Sequence, residues 1–235
     1  MKKSLAMCVW CWVLVPLCAP AVAQPADILL DPGHGPRRYG ATSCSGGREY
    51  AYNNALAATV RDYLAARGIA ADLTRAPEQD ISLAARAALS QGRRLLISLH
   101  HDSAQEQFIT PINGHPCSEK ARGYSIFVSR KNPCADASVD VALRLGHTLR
   151  AMGLVPSTHH AEPIAGENRQ PVSLELGVYY HDDLVVLKQA RCPALLLEAA
   201  VIIHPEDDAL ARDVRYQQLF GQALALVIAG LPRAR

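Results

Sequence analysis

Apolar runs of two kinds alternate along the chain. Ala26 to Asp31 is a short continuous run that stops at Pro32-Gly33-His34-Gly35, as a buried strand stops in a turn. From Glu49 to Arg67 the apolar positions Leu56, Val60 and Leu64 recur at helical spacing, and Gly68 supplies the stop. The same reading predicts a strand over Ile69 to Thr74, a helix over Ile81 to Leu89 and a buried strand over Leu95 to Leu99 that is cut off at His100-His101-Asp102. Tyr124 to Ser129 alternates as a strand, and Val139 to Met152 is helical with Val141, Leu145 and Leu149 on one face. Leu184 to Lys188 leads into the strongest apolar strand, Ala194 to Leu197, which ends at Glu198, and Val214 to Leu231 closes as a helix. Strands alternating with helices imply an α/β fold, a twisted and mostly parallel sheet flanked by helices on both faces. No repeat or Pro/Ser-rich linker divides the chain, so a single domain is expected. Two polar stretches, 103–122 and 155–173, read as loops.

The first residues follow a different pattern. Lys2 and Lys3 precede an apolar run from Leu5 to Leu17, followed by Pro20 and Ala21-Val22-Ala23, the charged, hydrophobic and cleavage regions of a secretory signal peptide over residues 1–23. Pro16 and Pro20 interrupt a run already shorter than the ~20 residues that span a bilayer, so cleavage rather than anchoring is expected, leaving a domain over 24–235 with no stable membrane insertion. Export to the periplasm or beyond the cell follows.

That division alters the composition. The 235 residues carry 24 Lys+Arg against 22 Asp+Glu, and removing Lys2 and Lys3 leaves 22 of each. A chain without net charge and with an ordinary apolar fraction is neither a disordered polymer nor a nucleic-acid binder. Both Trp residues, Trp10 and Trp12, lie in the leader, which leaves little room for a separate sugar-stacking module. Of 7 Cys, Cys8, Cys11 and Cys18 also lie there. The remaining Cys44, Cys117, Cys134 and Cys192 are expected to form two bridges in an oxidising compartment, with the pairing open among three possibilities.

Candidate chemistry sits where the strands end. In open α/β sheets ligands bind beyond the carboxyl ends of parallel strands, so His34, His100 and Glu198 can converge although far apart in sequence. Glu49 joins them if the 35–48 loop folds back. Two His and one Glu are the ligand set of a catalytic zinc site, which leaves Glu198 as general base. At most one of His100 and His101 is expected to point into the site, because neighbours on a strand diverge. A carboxylate abutting three Leu is costly unless a cation or a proton-transfer task accounts for it.

Asp31-Pro32-Gly33-His34-Gly35, Glu49 with Asn53, Ser98-Leu99-His100-His101-Asp102, and Pro193 to Glu198 followed by His204-Pro205-Glu206-Asp207 resemble, in order, the motifs of the zinc-dependent N-acetylmuramoyl-L-alanine amidases, the AmiC-type cell-wall amidases. The resemblance covers roughly Ile28 to Leu231. It implies one Zn2+ held by His34, Glu49 and His100, catalysis by Glu198, and hydrolysis of the amide between N-acetylmuramic acid and L-alanine in peptidoglycan. Arg86 falls where that family often carries an Arg in its second helix, with a surface or structural role equally open to it. Arg86, His101 and Asn53 are the candidate substrate contacts, with His101 alternatively a support for the ligands. The family usually has Ala-Asn where His101-Asp102 stand here. A zinc peptidase acting on the stem peptide and a non-catalytic peptidoglycan-binding regulator are the competing readings, and the second would lack a ligand or the base. No Gly-x-Ser-x-Gly or HExxH occurs, which disfavours serine hydrolases and helix-borne zinc proteases. A monomer is expected, with 103–122 and 155–173 the segments able to cover the site and any regulatory partner unidentified.

Overall fold

The computed structural model describes residues 26–232. The signal peptide expected over 1–23 lies outside the described residues. Within them the strands β1 (Ile28–Pro32), β2 (Ala71–Leu73), β3 (Leu95–Asp102), β6 (Ser125–Val128), β7 (Pro171–Ser173), β8 (Val178–Tyr180) and β9 (Ala194–Val201) form one sheet in the order β2-β1-β3-β9-β6-β8-β7. β4 (Thr110–Ile112) and β5 (His115–Cys117) form a separate hairpin. The pairs β1–β2, β1–β3, β3–β9 and β6–β8 are parallel, whereas β6 runs antiparallel to β9 and β7 to β8. The sheet is therefore mixed, with its parallel half centred on β3.

Alternation along the central strands feeds two cores. Ile28, Leu30, Leu95, Ile97, Leu99, Leu195 and Leu197 face helices α1 (Glu49–Ala65), α3 (Ala135–Ala151) and α6 (Val214–Ala229). Leu29, Leu96 and Leu196 face the opposite way, against Val186 and Leu187 of α4 (Val185–Gln189). α2 (Leu83–Ala88) packs beside α4 on that side. A strand buried on both faces reads as a continuous apolar run, which is why β1, β3 and β9 were legible as such.

Three boundaries differ from expectation in ways that matter for the site. β3 does not stop at His100 but continues through Asp102, and β9 continues past Glu198 to Val201. His100 and Glu198 are thus register partners inside the sheet. A helix α5 (Pro205–Arg212) occupies the acidic stretch after β9, where Asp207 accepts hydrogen bonds from the Val201 and Gly123 amides and so pins the strand end. No helix among the described residues is long and apolar enough to cross a membrane.

Candidate metal and proton-transfer site

His34 lies one residue beyond β1, after Gly33, in a turn whose backbone is unusual. Its φ is 60°, the left-handed region that β-carbon-bearing residues avoid at a cost of about 1–2 kcal/mol. Two buried arginines hold that turn. Arg75 donates to the Pro32 and Gly33 carbonyls, and Arg86 of α2 donates to those of Pro32 and His34. Arg86 also lies 3.6 Å from Asp31. Gly33 is required by contact, since a β-carbon there would strike the His100 ring.

The 35–48 loop folds back as the geometry requires. The Glu49 and Tyr50 amides, which open α1 without a side-chain cap, donate to the Ala41 and Tyr39 carbonyls. The loop is fastened further by Tyr52 and the Ser45 amide, which both donate to Asp208 of α5. Glu49 thereby enters the site, 4% exposed. Its Oε2 lies 3.1 Å from His34 Nε2 and its Oε1 3.1 Å from His100 Nδ1. One donor atom from each of the three residues can be chosen so that all lie within 4.8 Å of one another. Burial alone would raise the Glu49 pKa, but hydrogen bonds from His100 and His34 and their charge hold the carboxyl well below the usual range.

Glu198 stands beside His100 across the β3–β9 ladder. Its Oε2 is buried without a hydrogen-bond partner among the described residues, and so is Ser125 Oγ, directly opposite on β6. Burial, then the charges of Asp102 and Glu49, raise the Glu198 pKa well above its ordinary value. The arrangement joins a compact His-Glu-His donor set to a carboxyl group with unusually high proton affinity.

The profile of the N-acetylmuramoyl-L-alanine amidase family matches residues 28–230. The chain belongs to this family. Among curated relatives, the N-acetylmuramoyl-L-alanine amidase AmiA of Escherichia coli is 27% identical over 228 residues, covering 84% of this chain and 73% of that protein. The probable cell wall amidase LytH of Staphylococcus aureus is 26% identical, covering 86% of this chain and 56% of its own length. Among solved structures, the amidase Ami1 of Mycobacterium smegmatis superposes with a TM-score of 0.68 at 21% identity, over 86% of this chain and 94% of that one. The CwlD amidase of Clostridioides difficile, solved in complex with the GerS lipoprotein, gives 0.64 at 18% identity, over 86% and 95%.

Within this amidase the residues expected to meet substrate are placed in the scaffold. Asn53 is fully buried and donates to Gly33 O and Glu49 Oε1. His101 faces α1, its Nδ1 2.8 Å from Asn53 Oδ1, and burial lowers its pKa to about 4. Arg86 is 4% exposed and committed to the β1 turn. Arg75, which shares that task, was missed in the sequence because a single Arg after a short strand carries no pattern.

One disulfide, Cys44–Cys117, is formed among the described residues, and it ties the β4–β5 hairpin to the loop before α1. The expectation of a second bridge is not met, since Cys134 and Cys192 are thiols. Cys134 stands at the N-cap position of α3 without a capping side-chain bond, and Cys192 is buried just before β9. The polar stretch 155–173 brings His159 and His160 against Asp102. Burial would lower the pKa of His160, but Asp102 and Glu167 push it up to about 9. Sequence reading missed this group. The available signal was an adjacent His pair in a polar loop, together with Asp102 where the family usually carries Asn.

Proposed function

We propose that this amidase is zinc-dependent and cleaves the amide joining the lactyl group of N-acetylmuramic acid to L-alanine in peptidoglycan, acting as an exported monomer after loss of residues 1–23. The observation that carries the metal assignment is the meeting of His34, Glu49 and His100, two imidazoles and a carboxylate whose donor atoms share one small volume. The donor set fits zinc, and the buried Glu49 has only imidazoles and scaffold amides to balance its charge. Zinc bound there supplies Lewis acidity, polarising an amide carbonyl and acidifying water.

The protein's own part is positioning and proton transfer. The Arg75 and Arg86 clamps hold His34 in its left-handed turn, while Asn53 and the His101 amide orient Glu49. Asn53, His101 and Arg86 are accordingly read as positioning residues. Glu198 Oε2, unpartnered and next to the donor set, takes the proton of the attacking water and delivers it to the leaving amine. Its raised proton affinity suits that task. Burial is the first cause of that rise and the charges of Asp102 and Glu49 follow, so a cation at Glu49 lowers the Glu198 pKa toward the range in which its carboxylate acts as a base.

The test is Glu198→Gln assayed on purified sacculi, with zinc measured on the same samples. Hydrolysis is expected to fall by at least a thousandfold while zinc content matches the wild type. Wild-type activity in Glu198→Gln would overturn the assignment of the base, and chelator-insensitive activity would overturn the metal.

A further inference from the structure

We propose that Asp102, His159 and His160 form a second divalent-metal site, separate from the His34, Glu49 and His100 donor set. One donor atom of each again lies within 4.8 Å of the other two. Asp102 Oδ2 is 2.9 Å from His160 Nε2 and 3.3 Å from His159 Nε2. All three of these atoms are buried, and although the two imidazoles stand at ion-pair distance from the carboxylate, none of the three is aligned as a hydrogen bond among the described residues. Buried polar atoms are ordinarily held in aligned hydrogen bonds, so three that converge on one point without them form a donor set suited to an ion.

The remaining polar atoms of the cluster are spoken for, in the way that orients metal-binding imidazoles. His159 Nδ1 is 2.7 Å from Ser157 Oγ, and His160 Nδ1 is 2.9 Å from Glu167 Oε2. Glu167 Oε1 accepts from Gln105, and Asp102 Oδ1 accepts from the Ser103 amide. With Nδ1 of His159 on Ser157 and Nδ1 of His160 on Glu167, the Nε2 atom of each ring faces Asp102 Oδ2, and an ion bound there replaces the proton that otherwise pairs His160 with Asp102. The rings lie against each other with centroids 3.8 Å apart, and Phe127 packs on His160 at 4.8 Å. Each His is 6% exposed, so this is no surface cluster. Two imidazole nitrogens and one carboxylate oxygen suit a borderline divalent ion of the zinc class rather than calcium or magnesium, which prefer all-oxygen shells.

The site has a structural and an electrostatic consequence. Its ligands come from β3 and from the 155–173 segment, and Gln105 adds the 103–122 segment through Glu167, so an ion there fastens both polar segments over the end of the sheet. Asp102 and Glu49 are the two acids whose charges act on Glu198, so each donor set balances one of them.

The test counts metal. Protein comprising residues 24–235 is stripped with a strong chelator, reconstituted with Zn2+, passed through gel filtration and measured by elemental analysis, with Co2+ absorption as a parallel reading. Wild type is expected to retain two equivalents, His34→Ala one, and the double variant His159→Ala/His160→Ala one. Asp102→Asn, which preserves shape and the Ser103 contact, is expected to bind the second equivalent at least tenfold more weakly, and circular dichroism confirms folding of each variant. Retention of one equivalent by wild type, unchanged in His159→Ala/His160→Ala and lost in His34→Ala, would overturn the second site while leaving the first intact. One equivalent lost with the His159/His160 pair and kept in His34→Ala would instead uphold this site and overturn the His34, Glu49 and His100 set.

Discussion

Replacing Arg86 with Met isolates the clamp on the His34 turn, because Met preserves much of the side-chain volume and removes every donor. Three interactions are lost: the bonds to the Pro32 and His34 carbonyls and the ion pair with Asp31. They are not equivalent. Pro32 O keeps Arg75, and Asp31 keeps the Thr74 and Ser98 hydroxyls at 2.6 and 2.7 Å, so neither is stranded. Breaking a buried pair costs about 3–5 kcal/mol when the partner is left bare, and the two remaining hydroxyls place Asp31 below that range. The His34 carbonyl loses its guanidinium donor, worth about 1–3 kcal/mol. Relief of Arg75–Arg86 repulsion gives a little back. The net expectation is a loss of about 3 kcal/mol, read from the urea midpoint at unchanged slope, or a Tm lower by about 6–12 °C for a domain of this size. Freed from the clamp, His34 relaxes from its positive φ, and zinc affinity measured by chelator competition falls about tenfold, equivalent to about 1.4 kcal/mol. A stability loss under about 1 kcal/mol with unchanged zinc affinity would refute the clamp.

Further outcomes follow from other parts of the fold. The Cys44→Ser/Cys117→Ser variant opens a bridge between residues 73 apart, and loop entropy sets its cost at about 4 kcal/mol in urea unfolding, so a change below about 1 kcal/mol would show that the bridge does not constrain the unfolded chain. Gly33→Ala places a methyl group against the His100 ring, so zinc retention after gel filtration should fall while the circular dichroism spectrum is kept; full retention would show that the ring can move aside. Burial, then the neighbouring Cys134, raise the Cys192 thiol to about 11, so the thiolate is scarce at neutral pH and its alkylation in the native protein should stay slow below about pH 10. Rapid labelling of Cys192 at pH 8 would contradict its burial.

How much of this could be read in advance depended on burial. The stripes Leu56, Val60, Leu64 and Val141, Leu145, Leu149 are buried to the last residue, so α1 and α3 were plain in the sequence. α3 begins at Ala135 rather than Val139 because its first turn, Ala-Asp-Ala-Ser, has no large apolar side chain to register. The hairpin β4–β5 was invisible for another reason, its first strand, Thr110 to Ile112, being exposed throughout and so carrying no buried–exposed alternation. At the site, the ends of β3 and β9 turn from apolar to ionisable while the ladder continues, so pattern alone placed the strand ends too early. His34, Glu49, His100 and Glu198 could be singled out because each interrupts or follows a pattern. Arg75, His159, His160 and Glu167 could not, because only the tertiary fold brings them to their partners.

The most direct test of the account is the chemistry of the cut. Purified peptidoglycan digested by the zinc-loaded protein and analysed by mass spectrometry should yield glycan strands with free muramic lactyl groups and intact stem peptides beginning with L-alanine, with no such products after chelation or from Glu198→Gln. Stem peptides cut internally, or the same products from the chelated protein, would contradict it.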